Sequence, residues 1–432
     1  AIVRHDGAVN HIYAQFDELE LTEEFSFLQS APSSTDISVW QFLAPLLIGG
    51  KSVIVDIETV AIPDKLFKVL FSEEITVVEL VPALFTSLLE YASHLSKNER
   101  SLPFLKWMML SGESVSPRLV NKWLNIYPHI RIANAYGPSE AADDITQFII
   151  DKPFNENQRT VPIGKPLANL NLYILDEKMK LLPIGVPGEI CVSGIGVGAG
   201  YWKNEQKTID SFVPNPFTDA RKNEPSNHQD TIYKTGDLGR WLSDGNIEFL
   251  GRIDNQVKIR GFRVELGEIE TFLVRHQAVK EVVVVVTEEN SGDRRLVAYV
   301  VPSASFEQDD PASKELVQQL RDFLTAKLPG HMIPSAIVLI EALPLAPSGK
   351  VDRRALPVPN FNSESEFGFV APRTPTEEIV ADIWSQVLKQ EHIGIHDNFF
   401  NLGGHSLLAT QAISRLREAF EIDIPIRILF EK

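Results

Sequence analysis

The tail of the chain contains a glycine-rich turn followed by a serine that could carry an attached group. Residues 397–407 read DNFFNLGGHSL, and from Ser406 to Phe420 apolar residues recur at helical spacing. The two glycines let the backbone turn sharply, and a helix N-terminus favours a phosphate. The pattern predicts a phosphodiester at Ser406, whereas the plainer alternative is a serine that only caps the helix.

A second group of residues is suited to a nucleotide. In residues 134–140, NAYGPSE, the Tyr136 ring can stack on a purine and the turn at Gly137 brings backbone close to phosphate. Glu140 can hold Mg²⁺ through its carboxylate, although the same residue could be a surface acid in a turn. These features predict a site for a purine nucleotide and its phosphates.

Two further residues extend this prediction. Asp237 follows a strand and a Thr-Gly turn, a geometry in which a carboxylate can accept ribose hydroxyls. Lys350 lies in a glycine-containing loop and is a candidate cation for the phosphates. The plainer alternative is that it is only solvated, as a lysine in such a loop usually is.

The elements that must position these residues change character along the chain. Up to about residue 150, short apolar runs such as residues 107–110 alternate with helical patterns such as residues 63–71, which predicts a parallel sheet covered by helices. Residues 162–250 show short alternating strands, which indicate a distorted barrel or small antiparallel sheets. Residues 253–356 return to mixed α+β. Residues 357–375 contain four prolines and read as a linker, and the tail after them is helical.

Composition limits the functional classes. The 432 residues carry a formal net charge of −17, which disfavours nucleic acid and anionic membranes as partners. The lone cysteine, Cys191, excludes an internal disulfide and is interpreted as strand packing, which favours a reducing compartment. No apolar run is long enough to span a bilayer. We therefore expect a soluble cytoplasmic protein with several domains.

Residues 397–407 resemble the phosphopantetheine attachment site of peptidyl carrier proteins. With them, five segments resemble, in order, core motifs of the adenylation domain of nonribosomal peptide synthetases. These segments are residues 134–140, 188–201, 233–238, 251–265 and 347–353.

The resemblance implies ATP, Mg²⁺ and 4′-phosphopantetheine as cofactors and a multidomain fold. The expected parts are an α/β plus β-barrel-like large subdomain (1–253), an α+β small subdomain (254–356), a linker (357–372) and an all-α helical-bundle carrier (373–432). The family's phosphate-binding loop and final carrier helix are expected outside the given residues, so we expect a fragment. Asp254 would be the hinge between the two adenylation subdomains.

The resemblance also assigns roles near the nucleotide. Lys350 would bridge the substrate carboxylate and the α-phosphate, and Ser139 would contact that phosphate in place of the more usual threonine. Glu140 would hold Mg²⁺. The other expected ATP or AMP contacts are Tyr136, Gly137, Asp237, Phe249 and Arg252.

For the amino acid, the resemblance makes Asp36 the partner of the substrate α-ammonium. The rest of the pocket wall would be Ile37, Trp40, Glu79, Met109, Ser111, Ala135, Asp143 and Asp144. Because buried carboxylates need a cation, we predict a substrate with a basic side chain paired with Glu79 and Asp144. Asp143 and Asp144 would face opposite ways on a strand, which would leave one of them solvated.

The leading interpretation is therefore an enzyme that activates an amino acid with ATP and loads it on the carrier of the same chain. Its expected partners are a phosphopantetheinyl transferase and neighbouring condensation or other synthetase domains. The alternatives are an aryl-acid or acyl-CoA ligase of the same superfamily, and a non-catalytic carrier and docking fragment. If the pocket acids were solvated at its rim, Trp40 and Met109 would instead favour an aromatic or aliphatic substrate.

Overall fold

The computed structural model describes most of the chain as two compact units, Ala1–Asp254 and Asn255–Lys432. The described residues are 1–155, 158–218, 230–254, 256–259, 262–288, 294–304, 311–344, 351–353, 355–358, 369–388, 390, 392–399, 402, 404, 406–422, 424–425 and 428–431.

The first unit begins with helices and strands in alternation, as predicted. They are α1 (His5–Glu18), β1 (Ser26–Gln29), α2 (Ile37–Leu47), β2 (Lys51–Ile54), α3 (Ile57–Ala61), α4 (Pro63–Ser72), β3 (Val77–Leu80), α5 (Pro82–His94), β4 (Trp107–Leu110), α6 (Pro117–Ile126), β5 (Arg131–Tyr136), β6 (Thr146–Ile150) and β7 (Lys165–Pro166). Three of the helices start at a proline, whose fixed φ and missing N–H suit the first helical position.

Among the described residues, these seven strands form one sheet in the order β2-β1-β3-β4-β5-β6-β7. The pairs from β2 to β5 are parallel and the last two are antiparallel. Alternate residues of β4 enter different cores: Met108 and Leu110 pack on one face, and Trp107 and Met109 on the other. The sheet is thus covered on both faces, which explains its continuous apolar strands.

The first unit continues with an antiparallel sheet. It contains β8 (Leu170–Leu175), β9 (Gly188–Gly194), β10 (Phe212–Pro214), β11 (Thr231–Trp241) and β12 (Ile247–Arg252), with α7 (Glu205–Ser211) before β10. The order is β10-β11-β9-β8, with β12 paired to β11, so the strands described here form an open sheet. Cys191 is fully buried in β9, and burial raises the pKa of its thiol well above the ordinary value. This agrees with a packing role.

The second unit contains β13 (Gln256–Ile259), β14 (Phe262–Glu265), α8 (Leu266–Val274), β15 (Val279–Glu288), β16 (Arg294–Pro302), α9 (Pro311–Thr325) and β17 (Ala336–Leu339), then α10 (Pro375–Leu388), α11 (Ser406–Phe420) and α12 (Ile428–Glu431). β16 pairs antiparallel with β15 and parallel with β17. In the tail, Ile383 and Val387 of α10 pack with Ala412 and Leu416 of α11. No helix in the described ranges combines the length and apolarity needed to cross a membrane.

Candidate functional site

Four of the predicted wall residues lie on or beneath one face of the parallel sheet. Met109 of β4, Ala135 of β5 and Trp40 of α2 belong to the same apolar core. Glu79 of β3 lies beside Met109 in the strand register. The alternation of side chains along a strand turns Glu79 toward the same face as Val77, which is part of this core.

Glu79 is a buried carboxylate with a full set of protein donors. Its Oε2 accepts hydrogen bonds from Trp40 Nε1 at 2.9 Å and from Gln41 Nε2 at 3.2 Å. Its Oε1 accepts from Ser111 Oγ at 2.6 Å. Only 2% of Glu79 is exposed. The structure therefore brings together three residues predicted to line the pocket: Trp40, Glu79 and Ser111.

The environment of Glu79 disfavours its charged form. Burial is the largest cause and the negative charge of Asp144 adds to it, so the pKa of Glu79 rises from its ordinary value of 4.5 to about 7. The hydrogen bonds from Ser111, Trp40 and Gln41 act in the opposite direction but are weaker. Glu79 thus titrates close to neutral pH.

The expectation that Asp143 or Asp144 is solvated was wrong. They are 7% and 3% exposed, and they lie between β5 and β6 rather than on a strand. Ala142 and Asp143 have left-handed φ values of 61° and 78°, so the chain does not alternate as a strand would. Both carboxylates consequently point toward the same residue of α1.

That residue is His11, which sequence reasoning missed. His11 Nε2 is 3.6 Å from Asp144 Oδ2, and His11 Nδ1 is 4.0 Å from Asp143 Oδ2. One turn further along α1, Gln15 Nε2 donates to Asp144 Oδ2 at 3.1 Å. The i, i+4 spacing of His11 and Gln15 was the available signal, because it places both on one helix face. Nothing in the local sequence reveals which carboxylates they meet.

Asp36 and Ile37 lie at the start of α2. Asp36 is the N-cap, and its Oδ1 accepts a hydrogen bond from Ile37 N at 3.1 Å. Asp36 is only half-buried and Ile37 packs on the core that contains Trp40. The second carboxylate oxygen of Asp36 leaves acceptor capacity for an ammonium group.

The predicted nucleotide residues form a hydrogen-bonded group around Asp237. Tyr136 Oη donates to Asp237 Oδ2 at 2.5 Å, and Arg252 Nη1 donates to Asp237 Oδ1 at 2.8 Å. Burial and the adjacent Asp237 charge raise the pKa of Tyr136 well above its ordinary value, so the phenol stays protonated. The Phe249 ring lies 5.9 Å from the Tyr136 ring. A carboxylate has about four acceptor positions, so Asp237 retains capacity for ribose hydroxyls.

The expected phosphate and magnesium residues follow β5 directly. Ser139 and Glu140 start a 3₁₀ turn, and the Glu140 carboxylate is buried and accepts a hydrogen bond from Tyr201 Oη at 2.6 Å. At Gly137 a Cβ would lie 1.8 Å from Asp143 O, so only glycine fits there. An anionic oxygen and a bare backbone suit Mg²⁺ and phosphate, and these residues therefore fit the implied groups.

Asp254 is the last residue of the first unit, and Arg252 links it to the hydrogen-bonded group around Asp237. Arg252 Nε and Nη2 donate to the two carboxylate oxygens of Asp254, each at 2.7 Å. Burial alone would lower the pKa of Arg252, but the hydrogen bonds and charges of Asp254 and Asp237 together outweigh it and raise that pKa, which keeps the guanidinium charged.

Two predicted residues have little or no description. Lys350 lies outside the described residues. Ser406 is the first residue of α11, which agrees with the predicted helix start. Just before it, a Cβ on Gly404 would lie 2.2 Å from the Phe399 ring, so the turn requires glycine at this position. A tight turn leading into a helix N-terminus fits an attached phosphodiester.

Models of known families match three segments of the chain. Residues 1–202 match the family described as AMP-binding enzyme, and residues 268–350 match its C-terminal domain. Residues 378–432 match the phosphopantetheine attachment site.

Curated relatives are similar over the whole chain. One of the linear gramicidin synthase proteins of Brevibacillus parabrevis is 42% identical over 431 residues, which are 100% of this chain and 8% of that protein. Bacitracin synthase 3 of Bacillus licheniformis is 40% identical over 413 residues, 96% of this chain and 6% of that protein. The chain thus spans less than a tenth of the length of these relatives.

Solved structures are similar as well. One is a holo nonribosomal peptide synthetase protein containing adenylation and PCP domains bound to a vinylsulfonamide inhibitor. It has a TM-score of 0.67 and 26% identity over 93% of this chain and 63% of that one. Another is a four-domain nonribosomal peptide synthetase bound to AMP and glycine, with a TM-score of 0.50 and 32% identity over 98% of this chain and 30% of that one.

Proposed function

Because this chain belongs to the nonribosomal peptide synthetase family, as an adenylation segment followed by a carrier segment, we propose that it activates an amino acid as aminoacyl-AMP and loads it on its own carrier. The observation that carries this proposal is the short stretch that begins with the last two residues of β5 and ends before β6. It supplies Ala135 to the apolar pocket, Tyr136 to the Asp237 group, and Asp143 and Asp144 to the pocket again. A substrate carboxylate and an ATP α-phosphate held by one such stretch would be neighbours.

In the first half-reaction, a carboxylate oxygen of the amino acid attacks the α-phosphorus of ATP and pyrophosphate leaves. Asp36 would bind the α-ammonium, and Asp237 would accept the ribose hydroxyls. Ser139 and Lys350 would contact the α-phosphate while negative charge develops there. Mg²⁺ held by Glu140 would offset the charge of the phosphates.

In the second half-reaction, the aminoacyl group passes from AMP to the carrier. Phosphopantetheine bound to Ser406 would supply the thiol that accepts it, and AMP would leave. Asp254 is proposed as the hinge about which the two adenylation subdomains rotate between the half-reactions. The Lys350 loop would leave the site before transfer.

The substrate is proposed to have a basic side chain. Glu79 and Asp144 are both almost fully buried, and the charge of Asp144 adds to the cost of charging Glu79. A cationic group would offset this repulsion. The competing proposal is an aliphatic or aromatic substrate. It is supported by the three protein hydrogen bonds on Glu79, which satisfy that carboxylate without a ligand.

The partners and the cellular location proposed for this chain follow from its family. A phosphopantetheinyl transferase would modify Ser406, and neighbouring condensation or other synthetase domains would receive the product. The relatives are named as synthases of linear gramicidin and bacitracin, and we propose a cytoplasmic peptide assembly of the same kind, in antibiotic biosynthesis, for this chain.

Amino-acid-dependent exchange of labelled pyrophosphate into ATP tests these proposals on the natural protein that contains this chain. Exchange with one basic amino acid, weakened by Glu79→Gln, is the expected result. If the best substrate is leucine or phenylalanine, and Glu79→Gln does not change the exchange it supports, the proposed basic side chain is refuted. The proposed activation of an amino acid is not. If no amino acid supports exchange but aryl or fatty acids do, the ligase alternative holds. If no acid supports exchange, the alternative of a non-catalytic carrier and docking fragment holds.

A further inference from the structure

The loop between β9 and α7, residues 195–204, holds the turn that contains Glu140. Gly198 N donates a hydrogen bond to the main-chain oxygen of Glu140 at 2.8 Å. Further along the loop, Tyr201 Oη donates to Glu140 Oε1 at 2.6 Å. One loop thus contacts both the backbone and the side chain of the residue proposed to bind Mg²⁺, and the roles expected from sequence do not use this contact.

The close approach of this loop to the turn depends on small residues. A Cβ on Gly196 would lie 2.8 Å from Ala141 O. A Cβ on Gly198 would lie 3.0 Å from Glu140 O. A larger residue at either position would push the loop away from the turn, because both contacts are with backbone atoms. The close contacts therefore bring Tyr201 within reach of the Glu140 carboxylate.

The Tyr201 side chain is itself held in place. Its main-chain N donates to Thr208 Oγ1 at 2.9 Å, and its ring packs edge-on against Phe212, with ring centroids 5.7 Å apart. The Tyr201 hydroxyl lies 3.4 Å from the hydroxyl of Tyr233, which is buried in β11. A phenol has one hydrogen, and Tyr201 gives it to Glu140, so Tyr233 is the donor between the two tyrosines. These fixed groups determine where the carboxylate points.

We propose that Tyr201 is a positioning residue for Mg²⁺, because it orders the Glu140 carboxylate before the ion binds and so strengthens binding of ATP with Mg²⁺. The proposal rests on the proposed function, in which Glu140 holds Mg²⁺, and adds a residue to that site. A mobile glutamate side chain loses rotational freedom when it binds an ion, whereas an ordered one has already lost it. A carboxylate has about four acceptor positions, so the hydrogen bond from Tyr201 leaves capacity for the ion.

Two simpler roles for Tyr201 predict different results. If its hydroxyl only satisfied a buried acid, its loss would affect ATP binding equally with and without Mg²⁺. If its hydrogen bond competed with Mg²⁺ for the carboxylate, its loss would strengthen binding in Mg²⁺. A positioning role predicts weaker ATP binding in Mg²⁺ alone, by about tenfold or more, as is usual for groups that orient a metal ligand.

Calorimetric titration with ATP, in excess Mg²⁺ and in EDTA, separates these roles in the natural protein that contains this chain. The readout is the Mg²⁺ enhancement, which is the Kd for ATP in EDTA divided by the Kd in Mg²⁺. In Tyr201→Phe we expect the enhancement to fall by about tenfold or more, with the Kd in EDTA unchanged. The control is Tyr173→Phe, which removes a half-buried hydroxyl that lies 3.3 Å from Ser193 Oγ in the same unit. It should change neither Kd.

An enhancement that is unchanged or larger in Tyr201→Phe overturns the proposal, as does a Kd that rises equally with and without Mg²⁺. If Tyr201→Phe does not fold, the titration is made with Tyr233→Phe, which removes the donor to the Tyr201 hydroxyl. A fall in its enhancement of about twofold or more then supports the proposal, and an unchanged value overturns it. If the wild type binds ATP without enhancement, Glu140 as the Mg²⁺ ligand and this proposal both fail. If it binds no ATP, the proposed function itself fails and the proposal with it.

Discussion

Replacing Glu79 by glutamine should make the stability of the first unit less dependent on pH. The folded chain holds the pKa of Glu79 near 7, against an ordinary value of 4.5 in the unfolded chain. The folded state therefore keeps a proton that the unfolded state loses as the pH rises from about 4.5 to about 7. Wild-type stability falls over this window, and the loss is complete above the folded-state pKa.

The size of the effect follows from the same two values. Each pKa unit corresponds to about 1.4 kcal/mol, so the charged form of Glu79 costs the folded wild type about 3 kcal/mol above pH 7. Glutamine keeps the hydrogen bonds without the charge. Its oxygen can accept from Trp40 and Gln41, and its nitrogen can donate to Ser111 Oγ. Between pH 4.5 and pH 8, the free energy of unfolding of the variant should rise by about 3 kcal/mol relative to that of the wild type.

The assay is urea unfolding followed by tryptophan fluorescence at several pH values, since Trp40, Trp107 and Trp123 are all buried in the first unit. Glu23→Gln is the matched control, because Glu23 is exposed and its replacement should give no pH-dependent difference. A difference between Glu79→Gln and wild type that stays constant with pH to within about 1 kcal/mol would refute the reasoning. It would mean that Glu79 is hydrated in solution.

Three further outcomes are expected. Incubation with a phosphopantetheinyl transferase and coenzyme A should add one cofactor mass to the wild type and none to Ser406→Ala, as read by intact-mass spectrometry. Lys350→Ala should slow pyrophosphate exchange far more than transfer of a preformed adenylate to the carrier, because its charge is needed at the α-phosphate; equal losses would contradict this. Arg252→Ala should lower the free energy of unfolding by about 3 kcal/mol by leaving Asp237 without its cation, whereas the more exposed Arg240→Ala should cost less than about 1 kcal/mol.

Local patterns predicted the elements of the fold well. The strand predicted at residues 107–110 and the helix at residues 406–420 agree with Trp107–Leu110 and Ser406–Phe420. The helix that begins at Pro63 was also predicted, because a proline at the first helical turn followed by periodic apolar residues is informative within a short window. These signals depend on neighbours in sequence.

The open second sheet was harder to predict, because the sequence favoured a barrel and small antiparallel sheets equally. Strand pairing is decided by non-local register, and β11 pairs with both β9 and β12. The wrong expectation for Asp143 and Asp144 has a similar origin. A left-handed φ is uncommon for an alanine such as Ala142, and no local sequence pattern predicts it there.

The two halves of the candidate site differ in how they are assembled, and this decides what sequence can reveal. Asp237 and Arg252 are direct partners in the register of the β11–β12 hairpin, so their contact follows from one local turn. The pocket acids are brought together from α1, β3 and the segment after β5, and His11 meets Asp144 only through tertiary packing. The sequence motifs therefore predict the contact between Asp237 and Arg252 directly. Which charged groups meet in the predicted pocket becomes visible only when α1 is placed against the sheet.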